Sequence, residues 1–154
     1  MQIRDLIQRN FIESELKSKT KREVLRELTE LFGDSLGAVS TDTVVEVLLD
    51  REKLGSTGIG DNVAIPHGKI SGLDDLVVSF GRSPEGVEFD ALDGKPVHIF
   101  FLLLAPENSA GKHLKALAKI SRMLKDAEFR EELLAADSKE KLFSLIVEKD
   151  KMFP

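Results

Sequence analysis

The chain has 154 residues, 42% of them hydrophobic and 32% charged, which is typical of one globular domain. It has no cysteine, which excludes disulfides and cysteine metal sites, and its formal net charge of −5 argues against general nucleic-acid binding. No apolar run approaches the ~20 residues that a membrane span needs. The N-terminus also lacks a signal-peptide core, so we expect a cytoplasmic protein without direct membrane insertion.

The first third of the chain is predicted to be helical. Residues 3–16 carry apolar side chains at partly helical spacing, which favours a first helix. Thr20 and Glu23 have the spacing of a capping box, and the apolar stripe that follows predicts an amphipathic helix ending at Gly33.

A second helix is predicted to lead into a glycine-rich loop. Several N-cap candidates lie at residues 40–43, and the helix should run to about residue 53. Arg51 then lies near its C-terminal end, next to the loop at 55–60.

Strands and helices alternate in the rest of the chain. Asn108 or Ser109 can cap a helix, and two further helices are expected, one around residues 129–134 and one starting at Ser138. The C-terminal residues 148–154 should fray. We predict strands at 63–65, 76–82, 87–89 and 97–104, with turns at 83–86 and 93–96. This order and the short links predict an α/β single-domain sandwich, a mixed β-sheet flanked by α-helices.

Three histidines are candidates for chemistry. His98 lies inside an apolar strand and is interpreted as a packed or edge residue. His67 lies between Pro66 and Gly68 at a defined turn, placed by the sequence at the end of a strand, where a structural and a functional role have similar weight. His113 lies in the first turn of a predicted helix, where free N–H groups and the helix dipole favour anions and a neutral imidazole.

These residues are suited to phosphate chemistry. Arginine and free backbone N–H groups bind phosphate oxygens, and a neutral histidine is a competent nucleophile toward phosphorus. One ring nitrogen must be free, and the other must be held by an acceptor such as a backbone carbonyl. The chain has no Walker A, dinucleotide-binding or G-x-S-x-G motif, and its histidines lack zinc-site spacing, so we predict no metal and no cofactor.

The chain resembles a known family at these residues. Segments 58–60 and 63–69, with the motif Ala-Ile-Pro-His-Gly, resemble the active-site signature of enzyme IIA domains of the phosphoenolpyruvate:sugar phosphotransferase system, fructose/mannitol type. Segments 86–97, 100–106 and 113–118 match the same family. The resemblance covers about residues 3–147, so residues 1–154 are expected to form one IIA domain around that core.

The resemblance implies roles for five residues. His67 would be phosphorylated by an HPr-type phosphocarrier protein, and His113 would be the second active-site histidine, which helps to hold the phosphoryl group. Arg51 matches the family's active-site arginine, while Ser56 and Thr57 would line the phosphoryl site. The IIA domain itself would need no metal.

The resemblance leaves several functions open. A sugar-transport IIA domain passes its phosphoryl group to a IIB domain, whereas a nitrogen-type regulatory IIA binds regulated target proteins according to its phosphorylation state. The compact, stand-alone form favours the regulatory branch. An interaction module without phosphorylation remains an alternative, as does a phosphatase or hydrolase, for which no water-activating base is identified.

Overall fold

The fold is a mixed sheet flanked by helices, as the sequence predicts, and the sheet has six strands. The computed structural model of the chain describes residues 2–153. The strands are β1 (Ile12–Glu13), β2 (Gly58–Gly60), β3 (Val63–Ala64), β4 (His67–Ile70), β5 (Val77–Val87) and β6 (Val97–Pro106). The α-helices are α1 (Lys21–Glu30), α2 (Thr41–Lys53), α3 (Lys112–Leu124), α4 (Ala127–Ala135) and α5 (Lys139–Lys151).

Strand β6 is the centre of the sheet. It pairs antiparallel with β5 and parallel with both β3 and β4, which follow one another along its length. Strand β1 adds parallel to β5, and β2 adds antiparallel to β3, in the order β1-β5-β6-β3-β2. Residues 99–105 of β6 are all buried, as expected for a strand covered on both faces. His67 opens β4 and pairs with Leu103, which anchors it to this central strand.

The two faces of the sheet carry different helices. The Ser79 hydroxyl donates to the carbonyl of Leu28 on α1 at 3.0 Å, whereas the Arg82 guanidinium donates to the carbonyls of Leu133 and Ala136 at the end of α4. Successive side chains of a strand point to opposite faces, so two residues three apart face opposite sides. The sheet therefore lies between α1 on one face and α4 on the other.

The helices α1 and α2 begin as predicted. Thr20 and Glu23 form a complete capping box, and the Ser40 hydroxyl accepts the Thr43 N–H at 3.1 Å. Arg51 lies in the last turn of α2. The predicted end of α1 at Gly33 is too late, because the helix ends at Glu30 and a 3₁₀ turn follows.

The predicted helix over residues 3–16 is wrong. Ile3–Asp5 and Arg9–Phe11 form isolated 3₁₀ turns, and the chain then enters β1. The apolar residues of this segment are buried, except for the partly buried Leu6, but they pack against the sheet edge and α5 instead of forming one helical stripe. The Asp150 carboxylate accepts the Ile3 N–H at 3.0 Å, and pairing with β5 replaces helical hydrogen bonds.

The predicted turn at 83–86 is also wrong. Strand β5 continues through it to Val87, and the register with β6 shifts between Arg82 and Val87. The extra residues form a bulge, which tolerates Pro84 because a proline has no N–H to give to the ladder. No separate exposed strand exists at 87–89, since Val87 belongs to β5 and Phe89 is buried.

Two further boundaries differ from the prediction. The glycine-rich loop at 55–60 is partly strand, because its second half forms β2. Helix α5 continues to Lys151 with Asp150 fully buried, so the expected fraying of the tail is wrong up to that residue. Residue 154, the last of the expected tail, lies outside the described residues.

Candidate active site

A pocket of about 330 Å³ lies where α2, β4, β6 and α3 meet. Arg51, His67 and His113 all line it, although they are far apart in the sequence. The other lining residues are Val47, Asp50, Leu54, Gly68, Lys69, Leu103, Ala105, Leu114 and Leu117. The fold therefore brings together the three residues on which the phosphate hypothesis depends.

His67 is held in one tautomer by its own backbone. Its Nδ1 lies 2.9 Å from the carbonyl oxygen of Ile65, two residues earlier. A carbonyl oxygen can only accept, so Nδ1 carries the proton and the neutral ring keeps the lone pair on Nε2. The expected position at the end of a strand is wrong in detail, because β3 ends at Ala64 and His67 begins β4. The tight link between the two strands places the Ile65 carbonyl beside the ring.

The pKa of His67 favours the neutral ring. Burial lowers this pKa below its usual value, and the charge of Arg51 lowers it further. The hydrogen bond to Ile65 and the charge of Glu52 act in the opposite direction. The ring is therefore neutral at pH 7, with a free nitrogen available for nucleophilic attack.

His113 lies in the first turn of α3, as predicted, but the helix is not capped as expected. Gly111, with φ 89°, occupies the N-cap position without a side-chain hydrogen bond. The Ser109 hydroxyl lies 3.0 Å from His113 Nδ1 instead. Burial lowers the pKa of His113, and Lys69 adds to the shift. A second neutral imidazole thus faces the pocket at a helix N-terminus, where anions are stabilised.

Arg51 contributes a fixed positive charge at the edge of the pocket. One of its terminal nitrogens donates to the Gly55 carbonyl at 2.9 Å, which orients the side chain along the start of the glycine-rich segment. Lys69 supplies a second cation, and Asp50 a single carboxylate. Guanidinium and ammonium groups around a half-buried pocket favour a bound phosphoryl group.

Ser56 and Thr57, predicted to line the phosphoryl site, lie outside the residues that line this pocket. The Ser56 hydroxyl donates to the Phe89 carbonyl at 3.1 Å and accepts the Gly58 N–H at 3.0 Å. The Thr57 hydroxyl donates to the Glu52 carboxylate. Both hydroxyl groups are therefore engaged with the protein itself.

Several pocket residues were missed by the sequence reasoning. Lys69 follows His67 by two positions in β4, so the alternation of a strand predicts that both side chains share a face. Leu54 and Leu114 are 84% and 60% exposed, unusually open for leucine. Leu114 follows His113 directly and Leu54 lies three residues after Arg51. The sequence pattern does not show that a particular leucine is exposed. These two leucines give the pocket an apolar rim.

Other features of the described residues concern metals and membranes. Residues 2–153 contain no cluster of three or more His, Asp or Glu side chains arranged to hold a metal ion. Within the same range, no helix is both long and apolar enough to span a bilayer. His98 lies away from the pocket, with its Nδ1 3.0 Å from the Asn62 side-chain oxygen.

The α/β sandwich places two neutral histidines and an arginine around one pocket, and these are groups suited to phosphoryl chemistry. Residues 5–149 match the family described as phosphoenolpyruvate-dependent sugar phosphotransferase system, EIIA 2. The chain therefore belongs to this family of enzyme IIA proteins.

Individual relatives agree with this family. The nitrogen regulatory protein of Bradyrhizobium diazoefficiens is 40% identical over 146 residues, which cover 95% of each chain. The crystal structure of the nitrogen regulatory protein IIA-Ntr from Neisseria meningitidis superposes with a TM-score of 0.87 at 37% identity, covering 94% of this chain and 98% of that one. The mannitol enzyme IIA of Escherichia coli, solved in complex with phosphorylated enzyme IIB, has a TM-score of 0.75 at 26% identity and coverages of 93% and 99%. The predicted resemblance, including the likeness to the nitrogen-regulatory branch, is confirmed.

Proposed function

We propose that the protein is a phosphocarrier that accepts a phosphoryl group on Nε2 of His67 from an HPr-type phosphocarrier protein. The observation that carries this proposal is the hydrogen bond between His67 Nδ1 and the Ile65 carbonyl. It holds the proton on Nδ1, so the nucleophilic lone pair is on the nitrogen left free for the pocket. Membership of the enzyme IIA family supports the same role.

The transfer proceeds from one histidine to another. The Nε2 lone pair of His67 attacks phosphorus in line, a new N–P bond forms, and the N–P bond to the donor histidine breaks. The donor nitrogen recovers its lone pair, and the donor ring, which is protonated on its other nitrogen, leaves as neutral imidazole. His67 keeps its proton on Nδ1, so its phosphorylated ring takes over the positive charge and still donates to the Ile65 carbonyl. Because a phosphoramidate bond is exchanged for a similar one, the reaction is nearly reversible and occupancy follows the upstream donor.

Arg51 and His113 stabilise the charge on the transferring group. The Arg51 guanidinium offers donors to the phosphoryl oxygens, and the first turn of α3 contributes N–H groups. If the Ser109 hydroxyl donates to Nδ1 of His113, that ring carries its proton on Nε2 and donates it to an oxygen. The two histidines then have complementary tautomers, one to attack phosphorus and one to bind oxygen.

The phosphorylated state is proposed to regulate binding to target proteins. A phosphoryl group adds close to two negative charges to a pocket rimmed by Leu54 and Leu114, which changes the surface that a partner contacts. The similarity to nitrogen regulatory proteins supports this branch. The likeness to the mannitol enzyme IIA, which was solved with enzyme IIB, favours sugar transport with transfer to a IIB domain as the second candidate.

The test is the intact mass after incubation with phosphoenolpyruvate, enzyme I and an HPr-type carrier. We expect an acid-labile gain of one phosphoryl group in the wild type and none in His67→Ala. A matched control is His98→Ala, because His98 lies outside the pocket. No gain with several carriers would support the interaction module instead. A second incubation with IIB domains separates the branches, because only a sugar-transport IIA should lose its label to one of them.

A further inference from the structure

A hydrogen-bonded network connects α2 to His67 through residues that do not line the pocket. Glu52 follows Arg51 in the last turn of α2 and is only 7% exposed. Its Oε1 accepts the backbone N–H of Thr57 at 3.1 Å, and its Oε2 accepts the Thr57 hydroxyl. Both carboxylate oxygens thus hold one residue of the glycine-rich segment.

The hydrogen bonds continue from Thr57 to His67. The Thr57 carbonyl accepts the Ile65 N–H at 3.0 Å. The Ile65 carbonyl in turn accepts the Nδ1–H of His67 at 2.9 Å. We call this chain of contacts from Glu52 through Thr57 and Ile65 to His67 the Glu52 network. A shift of Thr57 would therefore move the carbonyl that selects the histidine tautomer.

The charge of the Glu52 carboxylate is compensated within the fold. Lys21 on α1 places its Nζ 3.0 Å from Glu52 Oε1 and 4.6 Å from the centre of the Phe89 ring. A buried carboxylate is costly unless it is paired and hydrogen-bonded, and Glu52 meets both conditions. Glu46, on the same helix, is exposed and pairs with Arg22 at the surface. Glu52, unlike Glu46, is therefore buried and hydrogen-bonded to the segment that leads to His67.

We propose that Glu52 is a positioning residue for phosphoryl transfer, which acts through Thr57 and Ile65 to hold His67 with its proton on Nδ1. This inference rests on the proposed role of His67 as the acceptor. It also gives the Thr57 hydroxyl a different role from the phosphoryl contact that the family resemblance implies, because that hydroxyl already donates to Glu52.

The test compares Glu52→Gln and Thr57→Val with the matched control Glu46→Gln. Glutamine keeps the shape but has one acceptor oxygen, so it cannot serve both Thr57 donors. Three quantities are measured: the ¹⁵N chemical shifts of the His67 and His113 rings in the unphosphorylated protein, the rate of phosphoryl transfer from an HPr-type carrier, and the lifetime of the phosphohistidine. Circular dichroism on each variant verifies that it is folded.

We expect both Glu52→Gln and Thr57→Val to show a mixture of His67 tautomers and a rate about tenfold lower, the worth of one positioned hydrogen bond. Glu46→Gln should match the wild type in both measurements. Thr57→Ser keeps the hydroxyl that Thr57→Val removes, so its transfer rate should be close to that of the wild type. The His113 ring is an internal control. A general loss of stability would change the ¹⁵N shifts of both histidines, whereas the proposed effect changes those of His67 and not those of His113.

Three results would overturn the proposal. In the first, Glu52→Gln keeps the wild-type tautomer and rate; in the second, Glu46→Gln loses as much rate as Glu52→Gln. In the third, Thr57→Val shortens the phosphohistidine lifetime but leaves the tautomer unchanged, which would make Thr57 a direct phosphoryl contact. If the wild type accepts no phosphoryl group, the proposed function fails, and the ¹⁵N shifts of the unphosphorylated variants still decide the role of Glu52.

Discussion

The buried carboxylate of Asp150 should be among the most sensitive positions for stability. It is fully buried near the end of α5 and accepts the backbone N–H groups of Ile3 and Arg4 at 3.0 and 3.1 Å. It also pairs with Lys119 of α3 at 2.6 Å, whose side chain is only 5% exposed. Asp150→Asn preserves the shape but removes the negative charge that pairs with Lys119 and Arg4, and its amide has only one acceptor oxygen for the N–H groups of Ile3 and Arg4.

The expected loss follows from this geometry. Removing one charge of a buried, hydrogen-bonded ion pair costs about 3–5 kcal/mol. For a domain of this size the loss corresponds to a fall in Tm of roughly 10 °C. Urea unfolding at neutral pH measures it, with Glu140→Gln as the control, because Glu140 is on the same helix but forms an exposed pair with Arg9. The control should lose less than about 1 kcal/mol.

The pH dependence adds a second check on Asp150. Burial raises the pKa of this carboxyl, but the hydrogen bonds from Lys119, Arg4 and Ile3 outweigh it, so the pKa lies below its usual value. A depressed pKa contributes stability above the unfolded value near 3.9, which is lost as the pH falls through the folded value. The difference in the free energy of unfolding between wild type and Asp150→Asn should therefore become smaller below about pH 4. A loss under about 1 kcal/mol at neutral pH would refute the reasoning.

Three further predictions concern the pocket. His113→Ala should accept the phosphoryl group about 10- to 100-fold more slowly, because one charge-assisted hydrogen bond is lost. Single-turnover kinetics measure this rate, and an unchanged rate would show that His113 does not take part in the transfer. In an NMR titration, His67 should stay neutral as the pH falls through 6.5, because its pKa is lowered mainly by burial, and protonate only below that value; a midpoint at or above 6.5 would contradict the assigned environment. Leu114→Ser should raise the KM for the donor protein without lowering Tm, because this side chain is 60% exposed, and a loss of stability instead would indicate a packing role.

The elements with local signals were predictable. The capping box of Thr20 and Glu23 and the apolar run of β6 are each encoded within a few residues, and the structure contains both. The segment 3–16 failed because its apolar spacing serves contacts with the sheet and α5, and its first N–H groups are satisfied by Asp150, about 147 positions away. No local pattern reports such a partner.

The site shows the same division between local and long-range information. Arg51, His67 and His113 were found because each stands beside a local landmark: a helix end, a Pro/Gly turn or a helix start. These three residues line one pocket because β4 pairs with β6, and this pairing is visible only in the folded structure. Glu52 was overlooked because a glutamate in an acidic chain has no distinguishing pattern until its contacts with Thr57 and Lys21 are seen.

The central claim is that Nε2 of His67 is the atom that receives the phosphoryl group. The most direct measurement is ¹H–¹⁵N and ³¹P NMR of the uniformly ¹⁵N-labelled protein after phosphorylation by the HPr-type carrier. The account predicts a phosphorus-coupled Nε2 on His67, with the proton retained on Nδ1 beside the Ile65 carbonyl. Phosphorus coupled to Nδ1 of His67, or to either nitrogen of His113, would contradict it.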